Sequence, residues 1–282
     1  MVVSVIGLGL IGGSMALDLK EKGFAKKIIG VDRSASNAED ALALGIVDEI
    51  SDLKNAVEQA DLVIIAVPVN ATLQLLPQVL DCIQKETAVT DVGSTKQVIL
   101  NSVQAHPMRK YFVAAHPMSG TENSGPKAAI HNLFNNKVAI ICDQENSLDW
   151  AVERVKKMYS VFNSRILYMD GAAHDEHVGY VSHLSHVISY ALAVAVLDKE
   201  KSTSTIFDLA AGGFASTARL AKSSAEMWTP IFEQNAGNVL PILDIYINKL
   251  QQFKTHLQNK DFEKITEFIQ EANKIRRVLN KE

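Results

Sequence analysis

His116 stands where a proton-transferring side chain is expected. The stretch from Tyr111 to Glu122 opens with a short apolar run that predicts a buried strand, and Pro117 and Gly120 then force the chain out of regular structure. His116 therefore falls at the carboxyl end of the strand, where ligands bind in open α/β sheets. Its unperturbed pKa of about 6.5 suits proton transfer near neutrality, and a solvated or capping histidine is the competing interpretation.

A glycine-rich turn at the N-terminus predicts a dinucleotide site. The β-branched run Val2 to Ile6 indicates a strand, and the sequence Gly-Leu-Gly-Leu-Ile-Gly and a helical pattern follow it. In this context the first glycine permits a tight turn, the second lets the backbone approach a pyrophosphate, and the third lets the helix pack on the strand. The amides at the start of the helix bind the phosphate oxygens. The predicted cofactor contacts in this turn are Gly7, Gly9, Leu10, Ile11 and Gly12.

An acidic residue after the second strand indicates the type of nucleotide. Asp32 follows the apolar strand Lys27 to Val31 and lies about 20 residues beyond Gly12. A carboxylate at this position bonds the ribose hydroxyls of NAD and repels the 2′-phosphate of NADP. We therefore expect NAD as the cofactor, although the neighbouring Arg33 would weaken that preference.

Alternating strands and helices predict a parallel, doubly wound sheet of the Rossmann type in residues 1–170. The further strands are Asp61 to Val67, Thr87 to Asp91, Val138 to Cys142 and Arg165 to Met169. The helices between them are Ala71 to Ile83 and Leu148 to Phe162, and another helix opens after Lys96. The strand ends place Val67, Pro68 and Ser94 on the same rim as His116. We expect Val67 and Pro68 to contact the cofactor.

Two residues after the strand that ends at Asp91 need separate interpretation. Ser94 is either only the N-cap of the next helix, or both a cap and a hydroxyl that faces the substrate. Lys96 is expected to be a solvated residue at the start of that helix rather than a catalytic amine.

From Ala172 onward the sequence predicts only helices, so we divide the chain into residues 1–170 and an all-helical domain of residues 171–282. The predicted helices are Ala172 to Leu197, Thr203 to Ala211, Ser216 to Ala221, Ala225 to Asn235, Gly237 to Leu257 and Asp261 to Leu279. The segment Val178 to Leu197 has no formal charge and is long enough to span a membrane. Because it also carries serine, histidine and tyrosine side chains, we expect a buried helix of a helical domain or dimer core instead.

The composition argues against several kinds of partner. A formal net charge of −4, spread along the chain, gives no indication of nucleic-acid or membrane binding. Two cysteines offer no disulfide framework, and the first strand starts at Val2 without room for a signal peptide, so a cytoplasmic protein is expected. The pairs His174/His177 and His183/His186 each share a helix face. No metal is predicted, because no third ligand stands at a zinc-like spacing.

Five sequence blocks, taken together and in this order, resemble a known family more specifically than any single motif does. They are the glycine-rich start, Asp91 to Lys96, His116 to Glu122, Ser182 to His186, and Gly213 to Arg219 followed by Met227 and Trp228. Together they resemble the prephenate and arogenate dehydrogenases of tyrosine biosynthesis over nearly the whole chain. Arg219 has apolar neighbours, and such an arginine either extends to solvent or binds a carboxylate. The resemblance favours the carboxylate.

The resemblance implies an oxidative decarboxylation that depends on NAD. The ring carbon that bears the hydroxyl loses a hydride, the ring carboxylate leaves as carbon dioxide, and the product is aromatic. It implies His116 as the catalytic base, Ser94 as its support and Arg219 as the ligand of a substrate carboxylate. The other predicted substrate-binding residues are Ser182, His183, His186, Thr121, Glu122 and Trp228. The resemblance also implies a homodimer that forms through the helical domains.

Several alternatives to prephenate dehydrogenase stay open at this point. Arogenate differs from prephenate only in an alanyl instead of a pyruvyl side chain, so an arogenate (cyclohexadienyl) dehydrogenase is the first alternative. A β-hydroxyacid dehydrogenase shares the two-domain layout but resembles the five blocks less well. A non-catalytic NAD-binding redox sensor would not need His116, Ser94 and Arg219 together, and this combination favours an enzyme.

Overall fold

Short apolar strands alternate with helices through the first part of the chain and build one sheet. The computed structural model describes residues 1–84, 86–201 and 204–279. The strands are β1 (Val2–Ile6), β2 (Lys27–Val31), β3 (Glu49–Ile50), β4 (Leu62–Ile65), β5 (Ala88–Asp91), β6 (Phe112–Pro117), β7 (Val138–Cys142) and β8 (Arg165–Met169). The helices of this part are α1 (Leu10–Glu21), α2 (Ala35–Ala43), α3 (Leu53–Glu58), α4 (Val69–Cys82), α5 (Gln97–Ser102) and α6 (Asp149–Val161).

Within the described residues, the sheet has eight strands in the order β3-β2-β1-β4-β5-β6-β7-β8. The order reverses at β1, which confirms the doubly wound, Rossmann-type prediction. Every neighbouring pair is parallel except β6 and β7, which run antiparallel. A parallel pair needs a long crossover that is usually a helix. The segment 118–137 between β6 and β7 contains no α-helix, so the chain returns in the opposite direction.

The sheet is buried on both faces. Along β4, Ile64 packs in one apolar cluster with Val3 and Val5, while Val63 and Ile65 pack in a second cluster. Successive side chains of a strand point to opposite faces, so a continuous apolar run is what a strand covered on both sides requires. The central strands therefore form a rigid base. Their carboxyl ends hold the loops that follow β1, β4 and β5 at one edge.

After β8 the described residues form helices and turns and no strand, as predicted. The helices are α7 (Gly171–Val178), α8 (Leu184–Glu200), α9 (Gly212–Ala218), α10 (Ala225–Gln258), α11 (Phe262–Asn273) and α12 (Arg276–Leu279). A π-helical turn, Gly179–His183, joins α7 to α8, and 3-10 turns occupy Ser204–Leu209 and Arg219–Lys222. Thr203, at the start of one predicted helix, lies outside the described residues. The domain division at residue 170 stays a prediction.

The two helices predicted on either side of residue 236 meet at a kink in the structure. The sequence breaks the helical pattern between Asn235 and Gly237, and α10 kinks at Asn235. Asn235 alone leaves the helical conformation, with φ −112° and ψ 16°. The break in the pattern therefore coincides with this kink, and the Asn235 side chain is buried.

The segment predicted to be a buried helix is mostly uncovered within the single chain. The run Gly171–Glu200 is long and apolar enough to cross a membrane by length and composition alone. Only 17% of its most apolar window is buried in the chain. Packing within one chain therefore does not supply the expected burial, and a dimer core stays a prediction.

The glycine-rich turn predicts two different responses to an added methyl group. A Cβ on Gly12 would lie 2.0 Å from the carbonyl oxygen of Gly7, whereas a Cβ on Gly9 would meet no atom within 4 Å. Gly12→Ala should therefore lower the free energy of unfolding by roughly 1–3 kcal/mol, and Gly9→Ala by less than about 1 kcal/mol. Urea denaturation of both variants at one protein concentration measures the difference. Equal losses would contradict the packing role of Gly12.

Candidate active site

The turn between β1 and α1 leaves room for a phosphate group. Gly7 has a positive φ of 94°, and a Cβ there would lie 2.4 Å from the carbonyl oxygen of Ala66, so this position requires glycine. Gly9 directly precedes α1, and the space beside its Cα is open. Leu10 and Ile11 begin α1, whose first amide groups have no partner within the helix. These open amides and the helix dipole fit an anionic ligand.

Asp32 follows β2 at the same edge of the sheet. Its carboxylate accepts hydrogen bonds from the amides of Leu8 and Ser34, both at 2.9 Å. The two carboxylate oxygens together offer about four acceptor sites, so two of them remain for ribose hydroxyls. The other predicted cofactor residues at this edge are Arg33, which is exposed, Val67, which is half-buried, and Pro68, which begins the turn into α4. The open turn and the Asp32 carboxylate together fit a dinucleotide such as NAD.

His116 lies buried at the end of β6 and belongs to a chain of three side chains. Its Nδ1 is 2.9 Å from Nε2 of His174. Nδ1 of His174 is in turn 2.8 Å from Oδ1 of Asp175. His174 and Asp175 lie on α7, so the helical part of the molecule supplies the partners of the predicted base. The sequence did not indicate these three linked side chains, because the spacing of His174 pairs it with His177, which is exposed on the outer side of the same helix.

The Asp175 carboxylate also caps a helix of the nucleotide-binding part. Its Oδ1 accepts the amide of Lys96 at 2.7 Å, and its Oδ2 accepts the amide of Gln97 at 2.9 Å. The prediction that Ser94 caps this helix is therefore wrong, since α5 begins only at Gln97 and its first amides bind Asp175. The Ser94 hydroxyl makes no hydrogen bond to another described residue. A role for Ser94 toward the substrate stays a prediction.

Lys96 is not the solvated residue that the sequence predicts. Its side chain is fully buried, and its Nζ forms an ion pair with Asp91, which is also fully buried. The Asp91 carboxylate further accepts the amides of Gly93 at 2.9 Å and of Ala115 at 3.2 Å. The burial of Lys96 follows from this partner. The position of Lys96 before a predicted helix does not indicate this burial. The pattern does not show that the side chain turns back to Asp91 at the end of the preceding strand.

The buried histidines of the site have lowered pKa values. Burial lowers the pKa of His116 well below its usual value, and the nearby His174, Lys96 and His183 lower it further. Burial likewise lowers the pKa of His174, and it lowers that of His183 to about 4. All three imidazoles are therefore neutral near pH 7, and a neutral His116 is competent to accept a proton.

Several predicted substrate residues meet around one indole ring. The ring of His186 stacks on Trp228 with centroids 3.4 Å apart, and His183 meets the same indole edge-on at 5.7 Å. Nδ1 of His186 lies 3.0 Å from the carbonyl oxygen of Ser182. The π-helical turn, α8 and the start of α10 thus bring together residues that lie more than 40 positions apart. They form one aromatic and imidazole wall.

Arg219 reaches across to the loop that follows β6. Its guanidinium lies 3.7 Å from the carboxylate of Glu122, and the two side chains are 54% and 30% exposed. Thr121 in the same loop accepts the amide of Asn123 at 3.2 Å. An ion pair this exposed contributes little stability. An incoming carboxylate can therefore replace Glu122 at Arg219 at little cost.

Asn235 is a further residue of the site, and it was not among the predicted site residues. Its buried Nδ2 lies 2.7 Å from the backbone oxygen of Asp175 and 2.9 Å from Nδ1 of His183. The one sequence signal was the interruption of the helical pattern at this residue. Asn235 is also the residue at which α10 kinks.

One group of side chains among the described residues has the proximity that a metal ion needs. Ligand atoms of Asp18, Glu21 and His131 lie within 4.8 Å of one another. Asp18 already accepts the amide of Asn132 at 3.0 Å, and Nδ1 of His131 lies 2.9 Å from the Glu21 carboxylate. These contacts account for the cluster as hydrogen bonds and ion pairs. The prediction that no metal is used stays a prediction.

Comparison with known families identifies both parts of the chain. The model of the prephenate dehydrogenase nucleotide-binding domain matches residues 15–168, and that of the prephenate dehydrogenase dimerization domain matches residues 170–280. The chain belongs to the prephenate dehydrogenase family.

Individual members of this family are similar over almost the whole chain. The prephenate dehydrogenase of Bacillus subtilis is 35% identical over 97% of this chain and 75% of its own length. The cyclohexadienyl dehydrogenase of Zymomonas mobilis is 32% identical over 98% of this chain and 95% of its own length. The crystal structure of Aquifex aeolicus prephenate dehydrogenase with hydroxyphenyl propionate and NAD+ has a TM-score of 0.86 and 29% identity, and it covers 99% of this chain and 98% of that one.

The buried pair of Lys96 and Asp91 predicts a large loss of stability when its cation is removed. Lys96→Met would leave the Asp91 charge buried and unpaired, which should cost roughly 3–5 kcal/mol of unfolding free energy. Lys20→Met is the matched control, because Lys20 pairs with Asp48 where both side chains are partly exposed. That control should cost less than about 1 kcal/mol. Similar losses in urea denaturation of the two variants would contradict the importance of the buried pair.

Proposed function

We propose that this chain is an NAD-dependent prephenate dehydrogenase, which converts prephenate to 4-hydroxyphenylpyruvate and carbon dioxide. Family membership supports the class of reaction. The observation that carries the proposal is His116, a buried imidazole at the carboxyl end of β6 whose Nδ1 is occupied by His174. Its Nε2 remains for the substrate hydroxyl. The glycine-rich turn lies at the same edge of the sheet, as hydride transfer requires.

The proposed cofactor site consists of the residues around the open turn. Gly7, Gly9, Leu10, Ile11 and Gly12 would hold the pyrophosphate, and Asp32 would hold the ribose, with Arg33, Val67 and Pro68 beside them. When bound, NAD supplies the acceptor for the hydride that leaves the ring carbon. The family's nucleotide-binding domain and the open space beside Gly9 support this assignment.

His116 carries out the proton transfer in the proposed reaction. As the hydride leaves, His116 accepts the proton of the ring hydroxyl, and the electron pair of the O–H bond forms a carbonyl group. The bond to the ring carboxylate then breaks, its electrons enter the ring, and carbon dioxide leaves. The proton held on His116 returns to the oxygen of the aromatic product. Ser94 is proposed to support His116 from the loop after β5.

Substrate binding is assigned to the face between the two parts of the chain. Arg219 would bind the side-chain carboxylate through two of its guanidinium nitrogens, since its fork matches a carboxylate. The proposed wall around the ring contains Ser182, His183, His186 and Trp228, and the loop after β6 adds Thr121 and Glu122. The stacked rings of His186 and Trp228 support this assignment because they bring two of these side chains into direct contact.

An arogenate or cyclohexadienyl dehydrogenase is the second candidate. Glu122 lies beside Arg219, and its carboxylate would attract the ammonium group of an alanyl side chain. The similarity to the Zymomonas mobilis enzyme points in the same direction. A β-hydroxyacid dehydrogenase and a non-catalytic NAD sensor have no comparable observation in their favour.

We also propose that the chain forms a homodimer through its helical part and works in the cytoplasm. The match to a dimerization domain supports a dimer. Large apolar side chains on α10 and α11 are exposed in the single chain, among them Leu250, Leu257 and Phe262. Their burial in a dimer would stabilise it.

Steady-state rates with both substrates and both cofactors test the proposed function. We expect prephenate with NAD to give the highest kcat/KM, and NAD to be preferred to NADP by roughly 10-fold or more, which corresponds to 1.4 kcal/mol. Asp32→Ser should narrow that preference, because it removes the repulsion of the 2′-phosphate. Faster turnover of arogenate would favour the second candidate. Inactivity with both substrates would contradict the proposal.

The pH dependence of kcat/KM should report His116. A base acts only when neutral, so activity is full above its pKa and is lost as the pH falls through that pKa. Because burial lowers the pKa of His116 well below 6.5, the acid limb should lie below pH 6.5. His116→Asn should lower kcat by roughly 10²–10⁴-fold with little change in KM. An acid limb above pH 6.5, or a His116→Asn variant with near-normal turnover, would count against this role.

A further inference from the structure

We propose that Asp175 and Asn235 are positioning residues that give His116 and His183 opposite tautomers. In this arrangement His116 presents a lone pair at Nε2, while His183 presents an N–H group at Nε2. One histidine then accepts a hydrogen bond from the substrate and the other donates one. This inference rests on the proposed function, because it assigns separate tasks to two histidines of that site.

The first tautomer follows from the chain that begins at Asp175. A carboxylate only accepts, so Nδ1 of His174 donates to Asp175 across 2.8 Å. A neutral imidazole has one N–H, and Nε2 of His174 therefore holds a lone pair. The 2.9 Å contact between this Nε2 and Nδ1 of His116 must then be donated by His116. With its hydrogen on Nδ1, neutral His116 keeps the lone pair on Nε2.

The second tautomer follows from the amide of Asn235. Its Nδ2 lies 2.7 Å from the backbone oxygen of Asp175, which only accepts, and its Oδ1 accepts from Asn238 at 2.7 Å. These contacts fix which end of the amide carries the hydrogens. The second hydrogen on Nδ2 is available for Nδ1 of His183 at 2.9 Å. Nδ1 of His183 is therefore the acceptor, and neutral His183 carries its hydrogen on Nε2.

Nε2 of His183 indicates what the second tautomer is for. This atom is buried and has no hydrogen-bond partner among the described residues. A buried N–H without an acceptor is unfavourable, and such groups in proteins usually have a ligand or water as their partner. Because His183 packs against Trp228 in the proposed substrate wall, we assign its Nε2 hydrogen to an oxygen atom of the substrate.

Asp175 is the common origin of both tautomers. Its side chain orders His174 and, through it, His116, while its backbone oxygen orders Asn235 and, through it, His183. Both hydrogen-bond paths start at Asp175 in α7, and they end at different histidines. A single helical residue thus assigns opposite hydrogen-bonding roles without contacting the substrate itself.

NMR of the full chain, labelled with 15N-histidine and free of substrate, tests the two tautomers directly. Ring nitrogens with and without hydrogen differ in chemical shift, and His116→Asn and His183→Asn assign the signals. We expect the hydrogen of His116 on Nδ1 and that of His183 on Nε2. The opposite result for either ring in the wild-type protein would overturn the proposal.

Substitutions of the positioning residues test the cause. The aspartate of Asn235→Asp cannot donate a hydrogen bond, so this variant should move the His183 hydrogen to Nδ1 and leave the His116 tautomer unchanged.

His174→Leu removes the hydrogen-bond acceptor of His116. It should therefore no longer fix the His116 tautomer and should lower kcat by roughly 10²–10⁴-fold, and His174→Gln, which keeps an acceptor for His116, should recover part of the loss. His177→Leu is the matched control on the exposed side of α7. If His177→Leu changed the tautomers or kcat as much as the other variants do, the positioning roles of Asn235 and His174 would be overturned.

The NMR result is independent of catalysis and therefore separates the two proposals. If both tautomers are as stated but the protein turns over neither prephenate nor arogenate, only the proposed function fails. If the protein is active and either tautomer is reversed, only the present proposal fails. The wild-type spectrum decides the tautomers even where a variant does not fold.

Discussion

The active-site architecture depends on one buried carboxylate, that of Asp175. It accepts hydrogen bonds from the amides of Lys96 and Gln97 and from the ring of His174. A buried charge is costly unless such hydrogen bonds satisfy it, so breaking any of these three bonds would be unfavourable. Because Asp175 lies on α7 and the two amides lie at the start of α5, these bonds hold the helical part against the nucleotide-binding part. The position of His174 behind His116 follows from it.

The imidazoles around this carboxylate stay neutral although charged groups lie close to them. Burial keeps their pKa values low, and the buried Lys96, which pairs with Asp91, lowers the pKa of His116 further. A base that is neutral at rest does not need to lose a proton before it can accept one. The burial of these groups therefore also keeps His116 neutral, as its proposed role as the base requires.

The sequence predicts those parts of the site that short segments determine. The glycine-rich turn, Asp32 and His116 each depend on a strand and the few residues after it, and the structure has them at one edge of the sheet. His174 and Asp175 contact residues 58 and 79 positions away, and no local pattern encodes such a distance. The prediction that Lys96 is solvated fails for another reason: its partner Asp91 is only 5 positions away, but a position before a helix does not show that the side chain turns back into the interior.

The exposed position of Arg219 suits the proposed chemistry. The ring carboxylate loses its charge as carbon dioxide forms, whereas the side-chain carboxylate keeps its charge throughout. A cation bound to the ring carboxylate would stabilise the ground state more than the transition state and would slow the reaction. A cation on the side-chain carboxylate binds both states equally. In the proposed reaction an exposed Arg219 would therefore anchor the substrate by the group that does not react.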